Sequence, residues 1–337
     1  MRNTGSKGSK RLATTLLASL LAALLLAQVA SAQTVGTNSF PGTGGAIAFV
    51  SERDGFDNLD VYRMGADGFG QTRLTDTPGI NLGPNWSADG TKITFTNMAG
   101  FGIPGDVFQM NADGSNERNL TNAPSNDGAS AYSPANNKFA FASDRHGRQF
   151  DIYLTTLGSD GQITGLTRLT TSAAFDSSPA ISPDGKRIAF ASDRDGDYDI
   201  YVMRLAPESS RNVPVKLTKN TRPDPDGPPY MYDQYPDWSP NGTQIAFASD
   251  RSGNFEVYRM KGSPEGRLNK PVNLSKTPTA SDQDPAWSPD GKKMMAFSTD
   301  RDGNREIYRM RATDGARQTN LTNNPALDFQ PAWQPLP

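Results

Sequence analysis

The residues best suited to chemistry are carboxylates that recur in short turns. The densest turn, residues 193–199, alternates acidic and other residues, and carboxylate oxygens are the ligands that calcium prefers. The turn lacks the spacing of an EF-hand loop and its terminal bidentate Glu, and the related turn 300–306 is less acidic. Calcium is therefore a minor alternative, and we expect the protein to need no cofactor.

Other kinds of catalytic centre find little support in the composition. The chain has no Cys and a single His, His146, which excludes Cys nucleophiles, disulfides, and zinc held by Cys or by several His. No Gly-x-Ser-x-Gly motif is present to carry a hydrolase nucleophile. A pair of carboxylates that cleaves glycosides remains an alternative, because acidic residues are abundant and their spacing does not single out any one pair. The residues favour a non-catalytic protein and predict no metal centre.

Four short sequence elements, each repeated six times, must position these side chains. They are a strand ending in Phe, an acid–apolar–aromatic strand, a Leu-Thr or Leu-Ser pair, and a Pro-x-Trp-Ser-Pro element. Four strands per unit predict an all-β fold, a six-bladed β-propeller of four-stranded blades. The last Trp strand, near Trp333, is followed by no Phe strand. We expect it to pair with the strand of Phe49, so that the C-terminal strand closes the ring on the N-terminal blade.

The repeat motifs are similar to those of a known family. Pro-x-Trp-Ser-Pro-Asp-Gly, Ile-Ala-Phe-x-Ser-Asp-Arg-x-Gly and Glu/Asp-Ile-Tyr-x-Met resemble the WD-repeat-like propeller repeats of the TolB family over residues 45 to 335. The resemblance implies a TolB-like propeller that works in the cell envelope, as TolB does in the Tol-Pal system. TolB also carries an α/β domain before its propeller, and we expect this chain to lack that domain.

The N-terminal segment has the features of a cleaved secretion signal. Lys7, Lys10 and Arg11 precede an apolar run over residues 12–27, and the small residue Ala32 marks a cleavage site. The alternative is an uncleaved anchor, for which the run is short. The sequence predicts an extracytoplasmic protein, periplasmic or secreted, that is not embedded in the membrane after cleavage.

The same features divide the chain into three parts. We expect a signal peptide over residues 1–32, a flexible lead-in over 33–44, and the propeller over 45–337. The formal net charge of the whole chain is −2, with no polybasic patch, so no nucleic-acid partner is predicted.

Two sets of charged residues recur once per blade on loops that share one propeller face, which we call the mouth face. We expect each Arg of one set to pair with an Asp of the other and to hold neighbouring blades in register. The alternative is a polar ring that binds a peptide, a sugar or a cation. The structural pairs are built from Arg53, Arg145, Arg194, Arg251, Arg301 and Asp127. The acids that are also candidates for partner contact are Asp176, Asp233, Asp282 and Asp328.

The second repeat departs from this pattern. Its turn, residues 96–105, contains no Arg, and Asn81 stands where the other repeats have Asp. The joint loss of both charges supports Arg–Asp pairing in the other blades. Phe101 and Ile103 in this turn predict an apolar contact site. The alternative is a loop whose sequence has diverged without gaining a binding role.

An insertion over residues 219–234 is the other irregularity. Several prolines stiffen it, and its aromatic side chains suit a binding lip on the mouth face. The candidate contacts are Arg222, Tyr230 and Tyr232. The alternative is a surface loop without a binding role.

These observations predict a non-catalytic propeller that binds a protein or peptide of the cell envelope at its mouth face, as a TolB-like scaffold or adaptor. The alternative is a carbohydrate-binding or carbohydrate-active propeller, a lyase or glycosidase, whose mouth residues contact polysaccharide.

Overall fold

The computed structural model describes residues 45–335, apart from 56–57, 136, 148, 159, 206–212, 220–230, 264–269 and 290–293. In this part of the chain every regular element is a β-strand, and the strands form six four-stranded antiparallel sheets. The predicted all-β, six-bladed propeller is therefore confirmed. The predicted signal peptide and lead-in lie outside the described residues and stay predictions.

Each sheet is one blade, and its strands follow one another from the tunnel outward. Blade one contains β24 (Asp328–Trp333), β1 (Ile47–Ser51), β2 (Asp60–Met64) and β3 (Thr72–Arg73). Blade two contains β4 (Ile80–Trp86), β5 (Lys92–Met98), β6 (Asp106–Asn111) and β7 (Arg118–Asn119). Blade three contains β8 (Asp127–Tyr132), β9 (Lys138–Ser143), β10 (Asp151–Leu157) and β11 (Ile163–Arg168). Blade four contains β12 (Asp176–Ile181), β13 (Arg187–Ser192), β14 (Asp199–Arg204) and β15 (Val215–Lys216). Blade five contains β16 (Asp233–Trp238), β17 (Gln244–Ser249), β18 (Glu256–Lys261) and β19 (Val272–Asn273). Blade six contains β20 (Asp282–Trp287), β21 (Met294–Thr299), β22 (Glu306–Arg311) and β23 (Thr319–Asn320).

Blade one is completed by both ends of the described chain. β24 pairs antiparallel with β1, with Trp333 opposite Ile47 and Asp328 opposite Ser51. The predicted closure of the ring is confirmed. It removes two strand edges that would otherwise be open to pairing with other chains.

The hydrophobic core lies between blades. Trp238 and Phe247 of blade five, both fully buried, pack with Ala180 and Ile200 of blade four. The indole N–H of Trp238 also donates to the Ala180 carbonyl oxygen at 3.1 Å. Because the apolar faces of a blade are buried only against its neighbours, no blade has a complete core of its own.

A main-chain hydrogen bond joins every blade to the preceding one at the mouth face. In blade five, the Asp233 amide donates to the Tyr198 carbonyl oxygen at 2.8 Å, and the equivalent bond has the same length at the other five seams. The donors at those seams are the amides of Asn81, Asp127, Asp176, Asp282 and Asp328. The donor residue near the start of each inner strand is therefore held in the same position around the ring.

The Leu-Thr and Leu-Ser pairs tie the outer strand of each blade to the strand inside it. In blade four, the Thr218 hydroxyl donates to the buried carboxylate of Asp199 at 2.8 Å and accepts the Ile200 amide at 2.9 Å. The other five blades repeat the arrangement with Thr or Ser. A hydroxyl is needed here because it satisfies a buried donor and a buried acceptor at once.

Each inner strand carries one residue with a positive backbone φ, at the same level of the central tunnel. The pairing with the second strand shifts register at this level in every blade, as at a β-bulge. We call these six residues the tunnel ring. Their φ values lie between 50° and 61°, and they are Gly83, Ala129, Ser178, Tyr235, Asp284 and Gln330. In five blades a Pro follows, which fits because the inner edge of a blade offers no strand to receive its N–H.

Candidate functional site

The turns of the mouth face are anchored by buried ion pairs. In blade five, Nη2 of Arg251 donates to both carboxylate oxygens of Asp233, at 2.8 and 2.7 Å, and Nε donates to the Ser249 hydroxyl. The guanidinium carbon lies 5.3 and 5.1 Å from the ring centroids of Phe247 and Tyr258. The same pairs, at 2.8 to 3.1 Å, are Arg53–Asp328, Arg145–Asp127, Arg194–Asp176 and Arg301–Asp282.

These five acids lie beneath the surface of the mouth face. All five carboxylates are fully buried, whereas the arginines are partly exposed. Burial raises the pKa of Asp233, and the charge of Arg251 opposes that rise. Since each Asp is already bonded to an Arg inside its own blade, the geometry favours a structural role for the acids that were also candidates for partner contact. Their contact with a partner stays a prediction.

Blade two replaces the ion pair with a neutral contact. The side-chain amide of Asn97 donates to the buried Asn81 at 2.7 Å. In the turn that follows, Phe101 and Ile103 are 45% and 49% exposed. The structure therefore places both apolar side chains at the surface, and their contact with a partner stays a prediction.

Only part of the inserted loop lies within the described residues. Arg222 and Tyr230 fall outside them, and Tyr232 is described. The Tyr232 ring stacks on Tyr198, with 5.8 Å between centroids, and its amide donates to the Asp250 carboxylate at 2.8 Å. Tyr232 is therefore part of the rim of the mouth face.

Tyr232 belongs to a continuous set of five aromatic rings across blades three, four and five, which we call the aromatic arc. The centroid distances between successive rings are 4.9, 6.3, 5.8 and 6.5 Å. In order, the rings are those of Phe150, Phe175, Tyr198, Tyr232 and Phe255. Phe150 is buried and the other four are partly exposed. The arc presents aromatic surface along one half of the mouth.

Of these five residues, only Tyr232 was predicted from the sequence. The signal for the others was positional, because each aromatic residue directly precedes an inner strand or the acid–apolar–aromatic strand. The seven equivalent positions outside the arc hold no aromatic residue. Those positions hold Leu59, Ile80, Gly105, Asn126, Ser281, Arg305 and Leu327.

The described residues contain no cluster of side chains suited to a metal ion. No group of three or more His, Asp or Glu side chains among them lies close enough to hold a metal ion. His146 contacts the Tyr153 hydroxyl through Nδ1 at 2.5 Å. In the acidic turn, Asp193 accepts the Phe175 amide at 2.7 Å and Asp195 pairs with Lys216 at 3.1 Å. These two carboxylates are therefore already engaged within the protein, and calcium stays an untested alternative.

Within the part of the chain that the structure describes, there is no helix long and apolar enough to cross a bilayer.

Comparison with known proteins supports the resemblance seen in the repeats. A family model described as the TolB beta propeller domain matches residues 116–232. The solved structure of TolB from Acinetobacter baumannii is 24% identical, with a TM-score of 0.70, and the match covers 88% of this chain and 68% of that one. No curated protein matches the chain. The TolB-like six-bladed propeller is therefore confirmed as a fold.

Two further solved structures show how widely the fold is used. A propeller in a nidogen/laminin complex is 8% identical, with a TM-score of 0.61, over 86% of this chain and 98% of that chain. An oligogalacturonate lyase from Vibrio parahaemolyticus is 13% identical, with a TM-score of 0.53, over 86% and 78%. At such identities the likeness extends to the fold alone.

Proposed function

We propose that this chain is a periplasmic or secreted, non-catalytic TolB-like propeller that binds a protein or peptide of the cell envelope at its mouth face. The observation that carries the proposal is the aromatic arc, which lines half of the mouth next to the tunnel. Aromatic side chains dominate binding energy at protein interfaces because they bury a large area and lose little conformational freedom.

The rigidity of the mouth favours binding of a partner segment. Tyr198 and Tyr232 are fixed by stacking, by an isolated parallel β-bridge between them, and by the Asp233 amide bond to the Tyr198 carbonyl. A partner that docks on the arc therefore meets a surface that is already ordered, which lowers the entropic cost of association. Because only half of the mouth is aromatic, a bound segment has one preferred orientation.

The related structures fit this role. One solved relative of the fold is a TolB protein, and another is a propeller in a nidogen/laminin complex. Aromatic rings also stack on sugars, so a carbohydrate ligand remains the alternative that the experiment has to separate.

The proposal is tested by capture of partners from an envelope fraction with the protein and with Tyr198→Ala and Tyr232→Ala variants. We expect each variant to bind the captured protein at least about tenfold more weakly, since buried aromatic anchors are typical hot spots. The matched control is Phe69→Ala, which truncates an aromatic ring that is 77% exposed in the turn between β2 and β3. Thermal melting of each variant shows whether it is folded.

A deletion of residues 221–230 tests the inserted loop separately from the arc. Capture of the same protein by all variants would contradict the proposal. Binding on a glycan array by the unaltered protein, with no protein captured, would support the carbohydrate alternative instead.

A further inference from the structure

The tunnel ring is uneven in size and chemistry. Blades two, three and four contribute the small residues Gly83, Ala129 and Ser178, whereas blades five, six and one contribute the large residues Tyr235, Asp284 and Gln330. The ring residues of three successive blades are therefore small, and those of the other three are large and polar. A side chain that enters from the mouth would meet polar groups on these last three blades.

Hydrogen bonds place the large side chains along the tunnel wall. Oδ2 of Asp284 accepts the amide of Gln330 in the next blade at 3.4 Å, and Oε1 of Gln330 accepts the amide of Gly83 at 2.8 Å. Each bond joins one inner strand to the next. The side chains therefore run around the tunnel at the level of the ring.

The inner strands carry no positive charge at this level. From each ring residue to the second residue after it, no blade has a Lys or Arg, and blade six contributes the carboxylate of Asp284. Among the described residues, no Lys or Arg forms an ion pair with Asp284. The described cation whose charge lowers the pKa of Asp284 is Arg305, and its Nη2 donates to Gln283 at 3.0 Å.

The carboxylate of Asp284 can accept a further hydrogen bond. Only 7% of the residue is exposed, and Oδ2 also accepts the Ser298 hydroxyl at 2.7 Å. Oδ1 accepts no hydrogen bond from the described residues. Across the tunnel ring, the fully buried Ser178 hydroxyl likewise has no partner within the described part of the chain. Burial raises the pKa of Asp284, as expected for an acid whose charge is poorly compensated.

We propose that the tunnel ring is a subsite for an organic cation, the guanidinium or ammonium group of a partner side chain, which pairs with Asp284 and lies against the ring of Tyr235. A buried carboxylate is costly without a counter-charge, and a cation supplies it. The Tyr235 ring, 7% exposed on the neighbouring blade, adds a face that attracts a desolvated cation. The inference rests on the proposed function, because the cation is carried by the segment that docks on the mouth.

The test uses acetyl-arginine-amide as the probe and acetyl-citrulline-amide as its uncharged isostere, in calorimetric titrations of the protein. We expect the arginine probe to bind at least about tenfold more tightly than citrulline, and Asp284→Asn to remove about that factor. Asp67→Asn is the matched control, since it makes the same change at an exposed acid in the turn between β2 and β3. A Tyr235→Leu variant should weaken the arginine probe by a smaller factor.

Equal binding of both probes, or arginine binding that Asp284→Asn leaves unchanged, would overturn the inference. The result is separable from the proposed function. If no envelope partner is captured but the probe binds through Asp284, only the proposed function fails. If a partner is captured through the aromatic arc but the probe does not bind, only the tunnel subsite fails.

Discussion

Asn81 and Asn97 share a hydrogen bond of 2.7 Å at the point where the other five blades hold a buried Asp against an Arg. Asn97 stands at the strand position that Ser249 takes in blade five, and Ala99 stands where blade five has Arg251. One protein thus contains both a charged and a neutral solution to the same structural position. This contrast permits a direct measurement of what the ion pair contributes.

Removal of the arginine alone should lower the free energy of unfolding by more than replacement of the whole ion pair does. We expect Arg251→Ala to lower the free energy of unfolding by about 3–5 kcal/mol, because it leaves Asp233 buried without its partner. The triple variant Asp233→Asn, Ser249→Asn, Arg251→Ala copies the chemistry of blade two and should recover about half of that loss. Urea denaturation of both variants provides the comparison. A triple variant no more stable than Arg251→Ala would show that the charge is not the source of the cost.

A glycine at the periphery allows the backbones of two blades to approach closely. Gly315 has φ of 76°, and a Cβ built on it lies 1.7 Å from the Leu274 carbonyl oxygen of blade five. We expect Gly315→Ala to cost more than about 3 kcal/mol, since backbone strain and a steric clash act together. Gly303→Ala is the control, because φ is 101° there but no atom lies within 4 Å of the added carbon. Equal shifts in melting temperature for both variants would rule out the clash.

Thr218 should stabilise the fold through the hydrogen bonds of its hydroxyl group and not only through the volume of its side chain. Thr218→Val keeps the side-chain volume but leaves the Ile200 amide without its acceptor and removes one of the donors to Asp199, which keeps its ion pair with Lys216. We expect a loss of about 2 kcal/mol in the free energy of unfolding. Thr72→Val, at an exposed position in β3, should change it by less than about 0.5 kcal/mol. Comparable losses in both variants would mean that the buried tether contributes nothing specific.

The stability of the protein relative to Asp284→Asn should depend on pH. Burial raises the pKa of Asp284, so the folded chain binds this proton more tightly than the unfolded chain. The stabilising contribution of the proton is present below the unfolded pKa and is lost as pH rises through the folded pKa. The variant should therefore gain stability relative to the wild type as pH rises above the ordinary Asp pKa of about 4.

Urea denaturation at several pH values measures that difference. The groups that face Asp284 are the Ser298 hydroxyl, the Gln330 amide and, at longer range, Arg305 and Tyr235. The first two do not titrate, arginine side chains are permanent cations, and burial raises the pKa of Tyr235 above its ordinary value, so none of these groups obscures the change. Two stability curves that run parallel in pH would contradict the prediction.

The repeats were sufficient to predict the ring, and the irregular features were harder to predict. Six copies of four strand motifs require six blades, and a Trp strand without a following Phe strand requires the closure that β24 and β1 make. The regular recurrence of the charges predicted Arg–Asp pairs that hold neighbouring blades in register, but each observed pair lies within one blade. The aromatic arc was missed because Phe150 and Phe255 are 105 positions apart, and only the curvature of the ring brings the residues between them into a row.

The tunnel ring was missed for a different reason. A positive φ is usually marked by Gly, but five of the six ring positions hold another residue, including Tyr235 and Asp284. The conformation is imposed by the register shift between the two inner strands of a blade, and local preference does not encode it. The Pro that follows in five blades was a weak hint that only the structure explains.

The closure of blade one has a consequence for how the protein is made. The Ala46 amide donates to the side chain of Gln334, which is 288 positions away, so the ring cannot close before its last strand has left the ribosome. Contacts of such long sequence separation form slowly, because much loop entropy must be lost first. A growing chain of this design therefore keeps its ring open throughout synthesis.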